Sequence, residues 1–181
     1  MDILKDYSDK TFVSGVLLDL SFNFYSTIYN ISLLPTILGS SLLTILNSSI
    51  IPEDIMKKTN IIINGLNAVI LTLVNSYKLN DRINNFKNNK IKFNKLNHII
   101  ESLIIKEGTK EAPEIDKNVL ESIINEYDRI WEEITFQFPE HIRKKVIKKY
   151  GGFKKLPNSL DVDYLSSVKS TGDLVNITEK A

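Results

Sequence analysis

Cysteine does not occur among the 181 residues, which excludes disulfide staples, thiol catalysis and Cys-based zinc sites. Histidine occurs only twice. Neither His98 nor His141 has a second ligand at metal spacing such as His-x3-His, so each reads as a surface residue. A strong charge of either sign is also missing, the formal net charge being +1, and a protein-wide attraction to nucleic acid is not expected. The stretch "KNNKIKFNK" is locally basic. Its spacing is helical, however, and it has too few aromatic residues to stack on bases. Glycine is sparse, and no phosphate-cradling loop is present. Gly151-Gly152 reads as a helix stop. Asp128, Glu132 and Glu133 crowd one segment, but no partner motif accompanies them for acid–base work. No catalytic residue, cofactor or metal is expected, and the chain is not expected to be an enzyme. Matches to Asn-x-Ser/Thr at Asn30, Asn47 and Asn176 fall within a span, at its far end and in the tail, and none reads as a persuasive glycosylation site.

The most informative shortage is of charge along particular runs. Between Asp19 and Glu53 lie 33 residues without one, and Thr59 to Tyr77 adds a second run of 19. A hydrocarbon core of about 30 Å takes about 20 residues of helix to cross. Both runs reach that length, and the link "PEDIMKK" between them is short, so the pattern predicts two antiparallel spans. A cleaved leader is not expected, because four acids face two lysines up to Asp19 where such a leader would be basic and then apolar. The competing reading is a soluble hairpin buried under other helices. It needs several large apolar faces from the rest of the chain, which offers two.

The runs are apolar but not purely so. In the second, Asn60, Asn64 and Asn67 follow i, i+4, i+7 spacing, with Asn75 near the same face. In the first, Asn23, Ser26 or Thr27, and Asn30 do likewise, and Thr36, Ser40 and Thr44 form a small-residue stripe beside Gly39. Small residues let helices approach closely in lipid, and amides hydrogen-bond between helices. These positions are candidates for helix packing within the hairpin or between subunits, or, more boldly, for lining a water path. Pro35 is expected to kink or break the first span.

From Lys78 the chain becomes densely charged. Leu79, Ile83, Phe86, Phe93, Ile100 and Ile104 follow a 4-3 spacing interrupted by Lys90 and Asn97, a coiled-coil-like seam. With no Pro or Gly between, this helix is expected to continue the second span without a break. It carries seven basic residues against two acids, six of them within 18 residues of the span, whereas the inter-span loop has two lysines. The positive-inside rule then makes both termini cytosolic. "EGTKEAPE" reads as a loop and Asp116 as a helix cap. The next helix carries an apolar face of Leu120, Ile123, Ile124, Tyr127, Trp131 and Ile134, which packs most simply on the preceding seam. Pro139 suits the first turn of a last helix. Ile142, Val146, Ile147 and Tyr150 lie on one side of that helix, and Arg143, Lys144, Lys145, Lys148 and Lys149 face elsewhere. That basic surface suits either solvent or anionic headgroups. The expected organisation is a cytosolic segment over 1–19, a transmembrane hairpin over 20–77, a cytosolic helical region over 78–152 and a flexible tail over 153–181. The fold class is all-α.

The segments "YNISLLPTILGSSLLTIL" and "IIINGLNAVILTLVNSYKLNDRINNFKNNKIKFNKLNHIIESLI" resemble the SLATT family, the SMODS- and SLOG-associating two-transmembrane effector domains, and within it the versions carried by giant DNA viruses. The matching residues are Pro35, Gly39 and Ser40 in the first span, Gly65, Leu66 and Asn67 in the second, and Phe93 and Leu96 beyond it. The likeness covers about Ser21 to Ile105 and is weaker through "FPEHIRKKVIKKYG". A histidine common in the family's charged helix is absent, with Phe86 or Asn88 near its place. The resemblance implies a membrane effector that forms pores or perturbs bilayers, with no catalytic residues to carry over. A structural membrane anchor, for instance in a virion, is the alternative, and a soluble interaction module is a third. The partners implied are the lipid bilayer and further copies of the chain, joined through span and stalk helices.

Overall fold

A computed structural model of the chain describes residues 2–48, 52–107, 117–151, 157 and 160. Five helices and no strand occur among the described residues: α1 (Asp2–Asn47), α2 (Glu53–Ser76), α3 (Leu79–Glu107), α4 (Lys117–Glu132) and α5 (Glu140–Tyr150). The protein is thus all-α. Two compact units divide it, one made of Met1–Ser21 with Phe86–Ala181 and the other of Phe22–Asn85. The loop and cap expected over 108–116 lie outside the described residues.

The first unit is a helical bundle with a conventional core. Along α1, Leu4, Thr11, Ser14, Leu18 and Ser21 are buried. With Tyr7 they form an unbroken 3-4 repeat. The polar members bury at little cost, because each hydroxyl donates to its own helix: Thr11 to the Tyr7 carbonyl at 2.6 Å, Ser14 to Lys10 at 2.7 Å and Ser21 to Leu17 at 2.8 Å. Opposite lies the α3 seam, with Phe86, Phe93 and Ile100 fully buried. The helices run antiparallel, since Ser8 meets Asn97 and Asp19 meets Lys90. The two polar seam positions are therefore matched across the pair. At Gly15 a β-carbon would stand 3.1 Å from Asn94 Oδ1, so the small residue sets the close approach there.

The apolar face of α4 packs on the seam as expected. Tyr127 and Trp131 meet the Phe93 ring edge-on, with centroids 5.5 and 5.7 Å away, and Tyr127 also meets Tyr7 at 5.4 Å. Ile134 falls beyond the end of α4. Phe138 stacks on Phe86 at 5.3 Å. Pro139 is the N-cap of α5, one residue ahead of its first turn. Ile142 and Val146 are buried, and Tyr150 touches Phe12. At about 1.5–3 kcal/mol for each large side chain removed from water, this aromatic and aliphatic core is ample for a bundle of this size. Of the tail expected over 153–181, Pro157 and Leu160 are fully buried, and Leu160 N–H donates to the Pro157 carbonyl at 2.8 Å. These two residues are docked. The rest of the tail lies outside the described residues.

The second unit is the hairpin of α1 and α2. The helix runs through Pro35 without a break. The N-terminal segment and the first span form one helix. One sequence expectation needs correction: between α2 and α3 the helix is interrupted at Tyr77–Lys78. Lys78 adopts a left-handed φ of 49°, and its N–H turns back to the Asn75 carbonyl at 3.0 Å. The Arg82 guanidinium secures the turn by donating from Nε to the Tyr77 carbonyl at 3.1 Å. A long side chain five residues on thus supplies what Gly or Pro supplies elsewhere, so the break carries no punctuation in the sequence.

Candidate functional site

The hairpin holds all the charge-free sequence. Its seven charged residues sit at its two ends: Glu53, Asp54, Lys57 and Lys58 at one, Lys78, Asp81 and Arg82 at the other. At the first end Pro52 caps α2, whose first turn bears Glu53 and Asp54, the favourable sign for a helix N-terminus. Lys57 pairs with Glu53 at 2.7 Å.

Four of the sequence-predicted residues meet at the helix–helix contact. Gly39 lies against α2, where a β-carbon would stand 3.0 Å from Ile63 Cγ2 and 3.4 Å from Asn67 Oδ1. Asn67 Nδ2 donates to Ser40 Oγ at 3.5 Å, and Asn60 Nδ2 donates to Asn47 Oδ1 at 3.4 Å. Both bonds are long, and they hold one antiparallel register. Asn64 and Asn75 are exposed instead. They are rotated roughly 40–60° around α2 from Asn60, at 100° per residue. The asparagine stripe therefore splits into a packed edge and an open edge. Gly65 faces open space, and Pro35 is exposed.

Several hydroxyls of the hairpin are satisfied by their own helix. Ser40, Ser41 and Thr44 donate to carbonyls four residues back at 2.8, 2.9 and 3.0 Å, and Thr59 and Thr72 do the same on α2 at 2.9 and 2.8 Å. Such bonds reduce the cost of a hydroxyl in an apolar solvent. Pro35 offers no N–H to the Ile31 carbonyl, and the Thr36 hydroxyl beside it is buried without a partner.

The apolar side chains of the hairpin point outward. Ile31, Ile37, Leu38 and Ile45 on α1 and Ile61, Ile62, Leu66 and Val69 on α2 are each more than half exposed. Within the most apolar 18-residue window of either helix only 6% is buried, and both helices are long and apolar enough to cross a membrane. The inside-out distribution contrasts with the first unit, where Val13, Leu17, Phe86 and Phe93 are sealed.

Toward the Lys78 end the two helices part around an apolar groove of about 470 Å³. Tyr25, Ile28, Ser32 and Pro35 form one wall, and Leu73, Val74 and Tyr77 belong to the other. Arg82 stands at that end. Its Nη1 donates to the Tyr25 hydroxyl at 3.2 Å, and its guanidinium carbon is 5.4 Å from the Tyr25 ring centre. Sequence reasoning missed this groove. The signal available was the continuation of the α1 repeat through positions 25, 28, 32 and 35.

In the first unit, Lys145 and Lys148 of α5 are exposed and Arg143 is half-buried. Lys144 pairs with Glu140 at 2.8 Å, and Lys149 lies over the Tyr150 ring. His141 is exposed, and His98 is 3.6 Å from Glu101. No group of three His, Cys, Asp or Glu suited to a metal ion occurs among the described residues. Glu133 pairs with Lys92, which holds its carboxyl below the usual range, whereas Asp128 and Glu132 are exposed. Burial pushes the Tyr127 hydroxyl up to about 12, against the lowering influence of Ser14 and Trp131.

The fold and its hairpin define a class, all-α proteins with two helices of membrane-crossing length and composition. No family model, curated protein or solved structure matches the chain.

Proposed function

We propose that the chain is a two-pass integral membrane protein and a non-enzymatic, SLATT-like membrane effector that perturbs the bilayer as a homo-oligomer. One observation carries the membrane part: within the hairpin most of the large apolar residues of α1 and α2 are exposed, with charge confined to the hairpin ends. In water such a surface drives aggregation. In lipid it is the expected finish, because helices satisfy their own backbone there. Seven basic residues from Lys78 to Lys106, against Lys57 and Lys58 at the opposite end of the hairpin, support cytosolic termini. The lysines of α5 then lie on the side of the anionic leaflet.

The effector part rests on the open edge of the asparagine stripe. Asn64 and Asn75 are left over after Asn60 and Asn67 have met α1, and exposed amides in hydrocarbon favour a partner helix. Another copy of the chain supplies one. Two experiments separate the parts. Carbonate extraction of membranes keeps an integral protein in the pellet, and recovery in the supernatant overturns the membrane reading. Liposomes bearing the pure protein are expected to leak ions, with Asn64→Leu suppressing leakage and Asn67→Leu weakening the hairpin instead. An inserted protein that never leaks, at any density, is an anchor rather than an effector.

A further inference from the structure

We propose that the exposed face of α5 docks on the headgroups of an anionic phospholipid surface, held by charge and without insertion. This rests on the membrane reading above and names what the bundle meets there. From 134 to 160 the chain carries seven Lys or Arg against one acid, Glu140, and five of the seven belong to α5. The fold sorts them. Ile142 and Val146 are buried in the bundle at 7% and 1% exposure, and Arg143 is half-buried beside them. His141, Lys144, Lys145, Lys148 and Lys149 are exposed. Their i, i+3, i+4, i+7, i+8 spacing puts them on one side of the helix.

Most of the charge on that side is uncommitted. Lys145 and Lys148 have no ion pair or hydrogen bond among the described residues. Lys149 lies over the Tyr150 ring at 5.2 Å, a contact that leaves its charge intact. Lys144 is paired with Glu140 at 2.8 Å, but both side chains are about three-quarters exposed, where ion pairs are weak. The apolar side of α5 is already sealed in the bundle, so the helix has none to bury among acyl chains. That sets it apart from an amphipathic helix that inserts and leaves headgroup charge as the contact. Chain connectivity supplies proximity. α1 passes from the bundle into the hairpin at Ser21–Phe22, and α3 re-enters the bundle at Asn85–Phe86. A bilayer around the hairpin is therefore tethered to the bundle at two points, and a tethered contact needs little affinity of its own. A soluble polyanion finds the same lysines without that advantage. In the proposed topology the bundle lies on the cytosolic side, where anionic lipids are concentrated.

The test uses the full chain reconstituted in vesicles of phosphatidylcholine or of phosphatidylglycerol. A neutral amine-acylating reagent is added briefly, and each lysine is read by mass spectrometry. Lys145 and Lys148 are expected to react roughly fivefold more slowly in phosphatidylglycerol, the factor for one basic residue at an anionic surface. Lys5 and Lys95, exposed on α1 and α3, report reagent access in each lipid and are expected to change less. Salt at about 1 M, where the Debye length is about 3 Å, is expected to erase the difference. Lys145→Gln combined with Lys148→Gln is expected to abolish the slowing at Lys149, with helix content unchanged by circular dichroism. Equal rates in both lipids, equal slowing of Lys5 and Lys95, or undiminished slowing of Lys149 in the double variant overturns the docking face. Protection that appears only when polyglutamate is added to the phosphatidylcholine vesicles also overturns it, in favour of an acidic protein partner. Carbonate extraction of the same proteins keeps the two ideas apart. A pelleted protein with unprotected α5 lysines defeats this face alone, and a protein in the supernatant defeats the membrane reading.

Discussion

A β-carbon at Gly39 would stand 3.0 Å from Ile63 Cγ2, tighter than ordinary carbon contacts, and the neighbour is a β-branched side chain on a helix, stiff at χ1. Gly39→Leu is therefore expected to open the hairpin and to lower its stability by about 1–3 kcal/mol, the usual cost of overpacking. Unfolding in mixed micelles measures this, and an unchanged midpoint would mean that the helices are not in contact there. Gly39 and Asn67 were legible because small residues and amides at helical spacing stand out in a charge-free run. Thr11, Ser14 and Ser21 were not. They occupy core positions yet are polar by type, and only the bonds to their own backbone carbonyls make their burial cheap. Tyr127 adds a pH dependence. Its folded pKa of about 12 lies above the ordinary 10.0. The folded state thus holds the proton more tightly, and the stabilisation is complete below pH 10. It is lost as pH rises from 10 to 12. Two units correspond to roughly 2–3 kcal/mol. Alkaline titration followed by aromatic fluorescence is expected to show the wild-type bundle loosening over that interval, with Tyr127→Phe blunting the transition.

Helices were legible as elements wherever periodicity or absence of charge marked them, and their ends only in part: α5 stops at Gly151, where Gly151-Gly152 marks it. The apolar repeat of α3, with Phe86, Phe93 and Ile100 buried, was plain, and so was the face of α4 that packs on it. The turn at Tyr77–Lys78 was invisible, because Lys is no turn former and the stabilising Arg82 contact is made five residues on. Pro35 does not break the span: a proline within a helix removes one hydrogen bond, and α1 continues through it. The left-handed Lys78 costs roughly 1–2 kcal/mol that glycine does not incur. Lys78→Gly is expected to raise the thermal midpoint in detergent, whereas Lys78→Ala, which keeps the strain, is not. A fall with glycine would mean that unfolded-state entropy outweighs the relief at this turn. The core face of the N-terminal half of α1 is half polar by residue type, with Thr11, Ser14 and Ser21 among its buried positions. As an element it is the partner of α3.

At the scale of the molecule the deciding contrast is between two kinds of surface. One unit hides its apolar side chains and the other displays them. In the proposed reading the first faces water and the second hydrocarbon. Composition alone hinted at this, since charge is excluded from the hairpin except at its ends. The outcome depends on whether later helices cover the long runs, which a count of apolar faces only approximates. The absence of cysteine now becomes useful, because any introduced thiol is the only one in the chain. Lys5→Cys and Lys95→Cys lie on exposed positions of the first unit, Asp54→Cys lies at the far end of the hairpin, and Leu66→Cys lies mid-run on its exposed apolar side. In the proposed topology a membrane-impermeant maleimide added to sealed right-side-out vesicles labels Asp54→Cys alone. Inverted vesicles expose Lys5→Cys and Lys95→Cys together, since both ends of a two-pass hairpin return to one side. Leu66→Cys stays unlabelled from either side and becomes reactive only when detergent admits the reagent. Reaction of the Leu66→Cys thiol in intact vesicles at the rate of the Asp54→Cys thiol would place α2 in water, and labelling of the Lys5→Cys and Lys95→Cys thiols from opposite sides would rule out two crossings.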